Sequence, residues 1–128
     1  MISAKPYIAK DYQLKDDVLF FGEQPYSGPL CREIEEDSFS ELTYSDGRLH
    51  GIQKTFYRTG ELKKASIFTN GLENGRRVEY YKCGTKKLNA NYVRGVQDGI
   101  VEEWGQNGMM KSRKTYYKGK LIAIMANP

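Results

Sequence analysis

The sequence has little of what several classes of protein require. Its 128 residues include only two cysteines, one histidine and one tryptophan. No apolar run approaches the roughly 18 residues of a membrane-spanning helix, and no apolar segment typical of a signal peptide follows the N-terminus. One histidine and two cysteines are too few for a four-ligand structural zinc site without carboxylate ligands. We therefore expect free thiols, no metal, no cofactor and a cytoplasmic location.

Large apolar residues are also scarce. Leu, Ile, Val and Phe together occupy 27 positions, so the core of this single domain must be thin. Ten tyrosines and one tryptophan make up part of the shortfall. Aromatic rings bury large areas and favour strands, and the tyrosine hydroxyl can stay hydrated. This composition favours a sheet with modest cover.

Charge is distributed unevenly along the chain. Residues 1–46 carry four basic and ten acidic side chains, whereas residues 47–128 carry sixteen and six. The two parts therefore have net charges of −6 and +10, which sum to the overall +4. Such asymmetry concerns partners rather than fold. The densest acidic cluster (Glu33, Glu35, Glu36 and Asp37) is either a solvated strand end or a patch that meets a basic partner.

A 24-residue repeat is the strongest pattern in the sequence. Three glycine series share this period, and two aromatic series and one lysine series follow it. The glycines are Gly47, Gly71, Gly95 and Gly119, then Gly51, Gly75 and Gly99, then Gly60, Gly84 and Gly108. The aromatic residues are Tyr44, Phe68, Tyr92 and Tyr116, then Phe56, Tyr80 and Trp104, and the lysines are Lys63, Lys87 and Lys111.

Each repeat predicts two short strands and two turns. The pairs Asp46-Gly47 and Asn70-Gly71 are typical of tight hairpins, in which glycine accepts positive φ. Between the turns lie runs rich in β-branched and aromatic residues, such as 52–57 and 76–81. A 24-residue unit has no room for an ordinary helix as well. We therefore predict an all-β fold, an elongated antiparallel β-meander of about four hairpin repeats.

The repeat also divides the chain. Residues 1–19 fit no repeat and form a predicted N-terminal lead-in segment, and residues 20–128 form the repeat domain. Within that domain we assign a degenerate repeat (20–43), three full repeats (44–67, 68–91 and 92–115) and a partial repeat (116–128). An eroded terminal repeat is expected of a capping unit.

Alternation along the strands predicts two different faces. We expect one face to be apolar, with rings stacked in ladders across the strands: Ile52, Phe56, Val78, Tyr80, Ile100 and Trp104, with Phe68, Tyr92 and Tyr116. The other face is expected to be polar and to carry Lys63, Lys87, Lys111, Arg77, Glu79, Tyr57 and Tyr81.

The glycine and aromatic positions together resemble the MORN-repeat variant found in bacteria. The matching stretches are Tyr44 to Gly51, Phe68 to Gly75 and Tyr92 to Gly99, and Tyr80 to Gly84 is similar to the YY-x-x-G element of that family. Gly105 departs from the pattern where Tyr57 and Tyr81 stand. The resemblance implies an antitoxin-like or immunity protein of a toxin–antitoxin system. It supplies no catalytic residues.

The residues with catalytic potential do not form a promising set. His50 occupies a turn position held by Asn74 and Asp98 in the next repeats, which indicates turn chemistry. Glu102 and Glu103 are adjacent on a strand, so they should point to opposite faces and cannot flank one bond. We expect a protein without enzymatic activity.

Three classes of partner fit the charge pattern. The lysine series with interleaved tyrosines could follow the phosphates of a nucleic acid or bind anionic membrane lipid. The acidic N-terminal part opposes both interactions, and no amphipathic helix or lipidation motif supports membrane binding. A protein partner is the favoured interpretation, and the family resemblance makes it a cognate toxin neutralised by direct docking.

The predicted contact residues are Glu35, Glu36, Asp37, Tyr57, Tyr81 and Trp104. Trp104 has an alternative role in the core, beside Phe56 and Tyr80. An open meander also has two sheet edges, and pairing of two such edges would give a homodimer.

Overall fold

The computed structural model describes residues 11–35 and 37–126, without the side chains of residues 33–35 and 126. These residues form strands and turns, and none of them is helical. The strands are β1 (Tyr12–Lys15), β2 (Val18–Phe21), β3 (Gln24–Pro25), β4 (Gly28–Glu35), β5 (Ser38–Ser45), β6 (Arg48–Leu49), β7 (Gly51–Tyr57), β8 (Leu62–Thr69), β9 (Leu72–Glu73), β10 (Gly75–Tyr80), β11 (Lys86–Val93), β12 (Val96–Gln97), β13 (Gly99–Trp104), β14 (Met110–Tyr117) and β15 (Lys120–Ala126).

The strands form two antiparallel sheets. β1, β2 and β3 make a small sheet, and the remaining strands make a 12-stranded sheet. The main path of the large sheet is β15-β14-β13-β11-β10-β8-β7-β5-β4, and β6, β9 and β12 pair with β5, β8 and β11. Neighbours in the sheet are neighbours in the sequence, so the predicted all-β antiparallel meander is confirmed. β2 runs across residue 19, where the lead-in segment was predicted to end.

Glycine turns connect the repeats. Asp46, Asn70, Arg94 and Lys118 have φ of 49–51°, and the glycine after each has φ of 82–86°. Two successive positive φ values define the type I′ hairpin turn, as the Asp-Gly and Asn-Gly pairs predicted.

The same glycines join each repeat to the one before it. Each donates its N–H to a carbonyl of the preceding repeat: Gly47 to Tyr26 at 2.7 Å, Gly71 to Leu49 at 2.8 Å, Gly95 to Glu73 at 2.7 Å and Gly119 to Gln97 at 2.8 Å. We call this row of bonds the turn ladder. It aligns the repeats along one end of the strands.

The prediction is wrong about the face that Phe68, Tyr92 and Tyr116 occupy, although Ile52, Phe56, Val78 and Ile100 do share one face. Ile52 pairs with Ile67, whereas Phe68 pairs with Gly51 and points to the opposite face. Ile52 and Ile67 are 56% and 37% exposed, but Gln53 and Ser66, which pair on the other face, are buried. Alternation within one strand cannot give the pairing between strands, which depends on the turn and on a register shift between Thr55 and Phe56.

We name the two faces of the large sheet by this register. The outer face carries Ile52, Phe56, Ile67, Val78 and Ile100. The groove face carries Arg32, Ser38, Ser40, Tyr44, Gln53, Thr55, Tyr57, Ser66, Phe68, Arg77, Ala90 and Val101.

Polar side chains stabilise the groove face from within. Where β5 and β7 separate, the Gln53 amide accepts a bond from Thr43 N at 2.7 Å and donates to Thr43 O at 3.2 Å and Gly51 O at 3.1 Å. One repeat later, Arg77 donates to both Glu73 carboxylate oxygens at 2.7 and 2.8 Å. These hydrogen bonds raise the pKa of Arg77. A thin sheet thus buries polar groups by pairing them.

A comparison of Gly47→Ala with Gly95→Ala separates the energetic cost of close packing from that of turn strain. An added Cβ would lie 2.3 Å from Val18 Cγ1 and 2.7 Å from Leu19 O at Gly47, but 3.5 Å from its nearest neighbour at Gly95. Both positions have the same turn conformation. We expect Gly47→Ala to lower the free energy of unfolding by about 1–3 kcal/mol more than Gly95→Ala, measured by urea denaturation. Equal losses of stability in the two variants would show that β2 shifts to accommodate the added methyl group.

Candidate functional site

A cavity of about 500 Å³ opens on the groove face. It extends over β4, β5, β6, β7, β8, β10 and β11, so consecutive repeats contribute to one site. Its lining comprises Arg32, Ser38, Ser40, Leu42, Tyr44, Leu49, Gln53, Thr55, Tyr57, Lys63, Lys64, Ser66, Phe68, Glu79, Tyr80 and Lys87. The volume lies in the range of roughly 300–1,000 Å³ typical of ligand sites. We call this cavity the groove.

Short hydroxyl side chains line the groove between its strands. Ser38, Ser40 and Ser66 are 0%, 3% and 3% exposed, and Ser40 Oγ lies 2.8 Å from Thr55 Oγ1. Because these side chains are short, they leave the space above them unfilled. The ring of Phe68 and the ring of Tyr44 also line this space. The groove therefore combines polar groups with flat apolar surfaces.

The groove is positively charged. Its lining includes four cationic side chains (Arg32, Lys63, Lys64 and Lys87) and a single carboxylate, Glu79. Arg77 Nη1 lies 3.2 Å from Glu79 Oε2, so that carboxylate is already paired with a cation outside the lining. A site with this balance attracts anionic groups and raises their association rate.

Tyrosine rings hold two lysines of the predicted series in equivalent places. Lys63 Nζ lies 5.4 Å from the centre of the Tyr57 ring, and Lys87 Nζ lies 5.5 Å from the Tyr81 ring, one repeat later. Both distances are typical of cation–π contacts. This arrangement restricts the two ammonium groups, because the rings beneath them are themselves fixed.

Hydrogen bonds between repeats fix those two rings. The Tyr57 hydroxyl donates to Tyr80 O at 2.6 Å, and the Tyr81 hydroxyl donates to Trp104 O at 2.8 Å. Burial raises the pKa of Tyr57. Each tyrosine thus links the end of one repeat to the corresponding end of the next.

The structure places the predicted contact residues in different environments. Tyr57 is buried, with 7% exposure, whereas Tyr81 and Trp104 are partly exposed. Lys86 Nζ lies 5.5 Å from the Trp104 ring. Glu36 lies outside the described residues, as does the side chain of Glu35. The contact role of these residues stays a prediction, and Tyr57 has little surface to offer.

Asp37 is the described acidic side chain of the predicted cluster. Its Oδ2 atom lies 3.7 Å from Lys82 Nζ, and Lys82 Nζ lies 5.9 Å from the Tyr57 ring. The acidic N-terminal part and the basic repeats therefore meet at this end of the sheet. The Lys82 ammonium group partly neutralises the Asp37 carboxylate, so Asp37 should attract a basic partner less strongly.

The sequence did not reveal several residues of the groove. Arg32, Ser38 and Ser40 lie in the degenerate repeat, where the 24-residue period is lost. In β5, every second residue lines the groove: Ser38, Ser40, Leu42 and Tyr44. This alternation is the sequence signal from which that part of the lining could have been predicted.

The predicted turn role of His50 is confirmed. Its Nδ1 atom accepts a hydrogen bond from Asn70 N at 3.3 Å, and Asn74 Oδ1 accepts from Arg94 N at 3.0 Å in the next repeat. Cys83 lies at the opposite end of the strands, a separation of roughly 20 Å for a six-residue strand. His50 and Cys83 are therefore too far apart to form a base–nucleophile pair.

The two adjacent glutamates point to opposite faces, as predicted. Glu103 accepts a bond from Ser112 Oγ at 3.1 Å. Glu102 instead accepts from Asn89 Nδ2 at 3.3 Å and lies 3.6 Å from Arg113 Nε. Each carboxylate thus has its own partner on its own face.

Comparisons with known proteins do not place the chain in a family: no protein-family model and no curated protein matches it. The resemblance to bacterial MORN variants therefore stays a hypothesis. Within the described ranges, no helix is long and apolar enough to cross a membrane. No group of three or more His, Cys, Asp or Glu among those same residues could hold a metal ion.

Removal of the Tyr57 hydroxyl tests the link between repeats. Tyr57→Phe deletes the bond to Tyr80 O and leaves that carbonyl without this donor. We expect the free energy of unfolding to fall by about 1–2 kcal/mol. Tyr117→Phe is the control, because this tyrosine is 56% exposed and should change stability by less than about 0.5 kcal/mol. Similar values for both variants in thermal and urea denaturation would show that the link contributes nothing.

The two free thiols should differ in reactivity. Hydrogen bonding to Thr85 lowers the pKa of the exposed Cys83 thiol, whereas burial raises the pKa of Cys31. Since the thiolate is the reactive form, Cys83 should be alkylated several-fold faster at neutral pH, as followed by mass spectrometry. The substitution Thr85→Val should slow the alkylation of Cys83 and leave the alkylation rate of Cys31 unchanged. Equal rates in the folded protein would contradict this prediction.

Proposed function

We propose that this protein is a non-catalytic binding module that holds an acidic segment of a single protein partner in the groove. The observation that carries this proposal is the composition of the lining, in which four cations accompany one carboxylate that is already paired. Buried serines and aromatic rings complete the surface. Such a surface offers hydrogen bonds, apolar contact and charge to one ligand.

The specific form of this proposal is an antitoxin or immunity protein that acts in the cytoplasm. The resemblance of the repeats to bacterial MORN variants supports it. The protein would neutralise a cognate toxin by docking on it and blocking its active site or substrate path. Charge complementarity would speed this association, and aromatic residues of the groove would anchor the partner.

A second candidate is a scaffold that binds anionic membrane lipid or nucleic acid through the basic repeats. The regular placement of Lys63 and Lys87, each on a tyrosine ring, favours this alternative, because phosphates are also anionic and repeated. Salt separates the two candidates. Polyelectrolyte binding weakens steeply as salt rises, whereas a packed protein interface is less sensitive.

Affinity capture from the native cytosol with charge-reversed variants tests the proposal. Arg32→Glu with Lys87→Glu reverses two exposed cations of the groove. Arg76→Glu with Lys120→Glu makes the same charge change at exposed positions outside the groove. We expect the wild type and the second variant to retain one stoichiometric protein at about 150 mM and about 500 mM salt. The first variant should lose at least about tenfold in affinity.

Three outcomes would contradict the proposal. Equal retention by both charge-reversed variants would exclude the groove. Nucleic acid or lipid that replaces the protein and dissociates at high salt would favour the scaffold instead. For the antitoxin form, the captured partner should be toxic when produced alone, and the wild type but not the groove variant should relieve it. A captured partner that is not toxic when produced alone would contradict the antitoxin form of the proposal.

A further inference from the structure

We infer that the groove selects an extended partner segment in which an acidic side chain and a large apolar side chain are four residues apart. The segment would lie along the strands of the groove. This inference rests on the proposed function and specifies the partner segment. It comes from two levels of the groove face, one charged and one aromatic, which the strand register places about 13 Å apart.

The charged level crosses four strands. Arg32 of β4 pairs with Ser40 of β5, and Ser40 pairs with Thr55 of β7. Thr55 in turn pairs with Lys64 of β8. Directly paired residues share a face of the sheet, and all four line the groove. We call these four residues the charged row, which has a cation at each end and two hydroxyl groups between them.

An acidic side chain fits over the middle of the charged row. Ser40 Oγ and Thr55 Oγ1 lie 2.8 Å apart, and this hydrogen bond uses only one of their two hydroxyl protons. The other proton is a donor for a carboxylate. Arg32 and Lys64 are three strand spacings apart, roughly 14–15 Å between Cα atoms, so their long side chains approach such a carboxylate from both sides.

The carboxylate that lines the groove does not neutralise this row. Glu79 pairs with Lys64 in the register, but its Oε2 atom lies 3.2 Å from Arg77 Nη1. Lys87, on the next strand but one from Lys64, also lines this part of the groove. The charged end of the groove therefore keeps an excess of positive charge, which an acidic side chain would complement.

The aromatic level lies four residues further along two of the same strands. Tyr44 follows Ser40 in β5, and Phe68 follows Lys64 in β8, each by four residues. At a rise of 3.2–3.4 Å per residue, the two levels are about 13 Å apart. Leu49 pairs with Tyr44 and lines the groove beside it. We call Tyr44, Leu49 and Phe68 the aromatic end.

The floor between the two levels is low. Ser66 stands between the charged row and Phe68 in β8 and is 3% exposed. Gln53 pairs with Ser66, and its amide is bonded to backbone atoms of Thr43 and Gly51. These side chains do not rise into the space above them. A segment can therefore pass from the charged row to the aromatic end without meeting a long side chain.

A second cavity, of about 570 Å³, continues from the aromatic end. The two cavities share three residues: Arg32, Tyr44 and Leu49. Leu14 and Leu72 line the second cavity and are 65% and 51% exposed. The charged side chains that it does not share with the groove are one cation and one carboxylate, Arg48 and Asp17. This end thus favours an apolar side chain over a second acidic one.

The spacing selects an extended conformation. In a β-strand, residues i and i+4 point to the same side and are about 13 Å apart, which matches the separation of the two levels. Polyproline II returns to the same side after three residues and ~9.3 Å. An α-helix returns to the same side after seven residues and ~10.5 Å. Each conformation therefore predicts a different separation of the acidic and apolar residues in the sequence of the partner.

Labelled peptides of identical composition test the spacing. Each contains one Glu and one Phe in a Ser/Thr/Gly background, with the Phe three, four or seven residues from the Glu, and each is made in both orders. For the better order, fluorescence anisotropy should give a Kd at least about tenfold lower at the four-residue spacing than at the others. Replacement of the peptide Glu by Gln should remove about tenfold in affinity. These comparisons use the wild-type protein throughout.

Variants of the protein locate the two ends of the segment. Arg32→Gln with Lys64→Gln should abolish the difference between the Glu and Gln peptides. Phe68→Ala should abolish the preference for the four-residue spacing. Arg76→Gln with Lys120→Gln removes one arginine and one lysine at exposed positions outside the groove and should leave both effects intact. Urea denaturation of each variant checks that it is folded at the temperature of the binding assay.

Each other result overturns the inference in an identifiable way. Equal binding at all three spacings would show that spacing is not recognised. A preference for three or seven residues would replace the extended segment with polyproline II or a helix. A four-residue preference that persists in the folded Phe68 variant would place the site elsewhere. Dodecanoate, which joins a carboxylate to an apolar chain, would identify a lipid ligand if it bound more tightly than every peptide.

The peptide experiment is distinguishable from affinity capture. A captured protein that depends on Arg32 and Lys87, together with equal binding at all spacings, would retain the proposed function and overturn this inference alone. A clear four-residue preference without any captured protein would have the opposite meaning: the groove would recognise the segment, and the proposed toxin partner would be contradicted.

Discussion

The left-handed glycine turn is the constraint on which the rest of this structure depends. It reverses the chain within two residues and directs the glycine N–H at the preceding repeat. This alignment is needed because a single sheet layer buries few large side chains: among the described residues of the large sheet, the buried apolar side chains are Phe39, Tyr57, Ala90 and Val101. Hydrogen bonds between repeats therefore supply the order that a packed second layer supplies in other folds.

The thin core also explains the polar interior of the groove face. Gln53, Arg77 and Val101 occupy equivalent positions, and each meets the same requirement differently: an amide bonded to backbone, a guanidinium paired with Glu73, and a buried aliphatic group. The repeat conserves the backbone path while its side chains vary. Function can then reside in that variation, since short hydroxyl groups at some positions open a groove without any change of fold.

The period of the sequence predicted the strands to within a few residues and also the turn type, because glycine and aromatic spacing reflect local backbone geometry. The period did not predict which face of the sheet the aromatic residues of the return strands occupy. Ile52 was predicted to share a face with Phe68, but Ile52 pairs with Ile67, and this pairing depends on the turn between the strands and on the register shift between Thr55 and Phe56. The groove was hidden for a similar reason: the degenerate repeat supplies Arg32 and Ser38, and no period marks them.

The fold shows where the unevenly distributed charges of the sequence lie in space. The acidic cluster suggested a basic partner and the repeats suggested an acidic one, and the sequence did not decide between them. In the structure, Asp37 lies beside Lys82, so the described acidic group of the cluster meets a cation of the same chain. Arg32, from the acidic part of the sequence, lies with Lys63 and Lys87 in the groove. Folding thus brings cations from both parts of the sequence together in the groove. This grouping is the basis on which we propose an acidic partner.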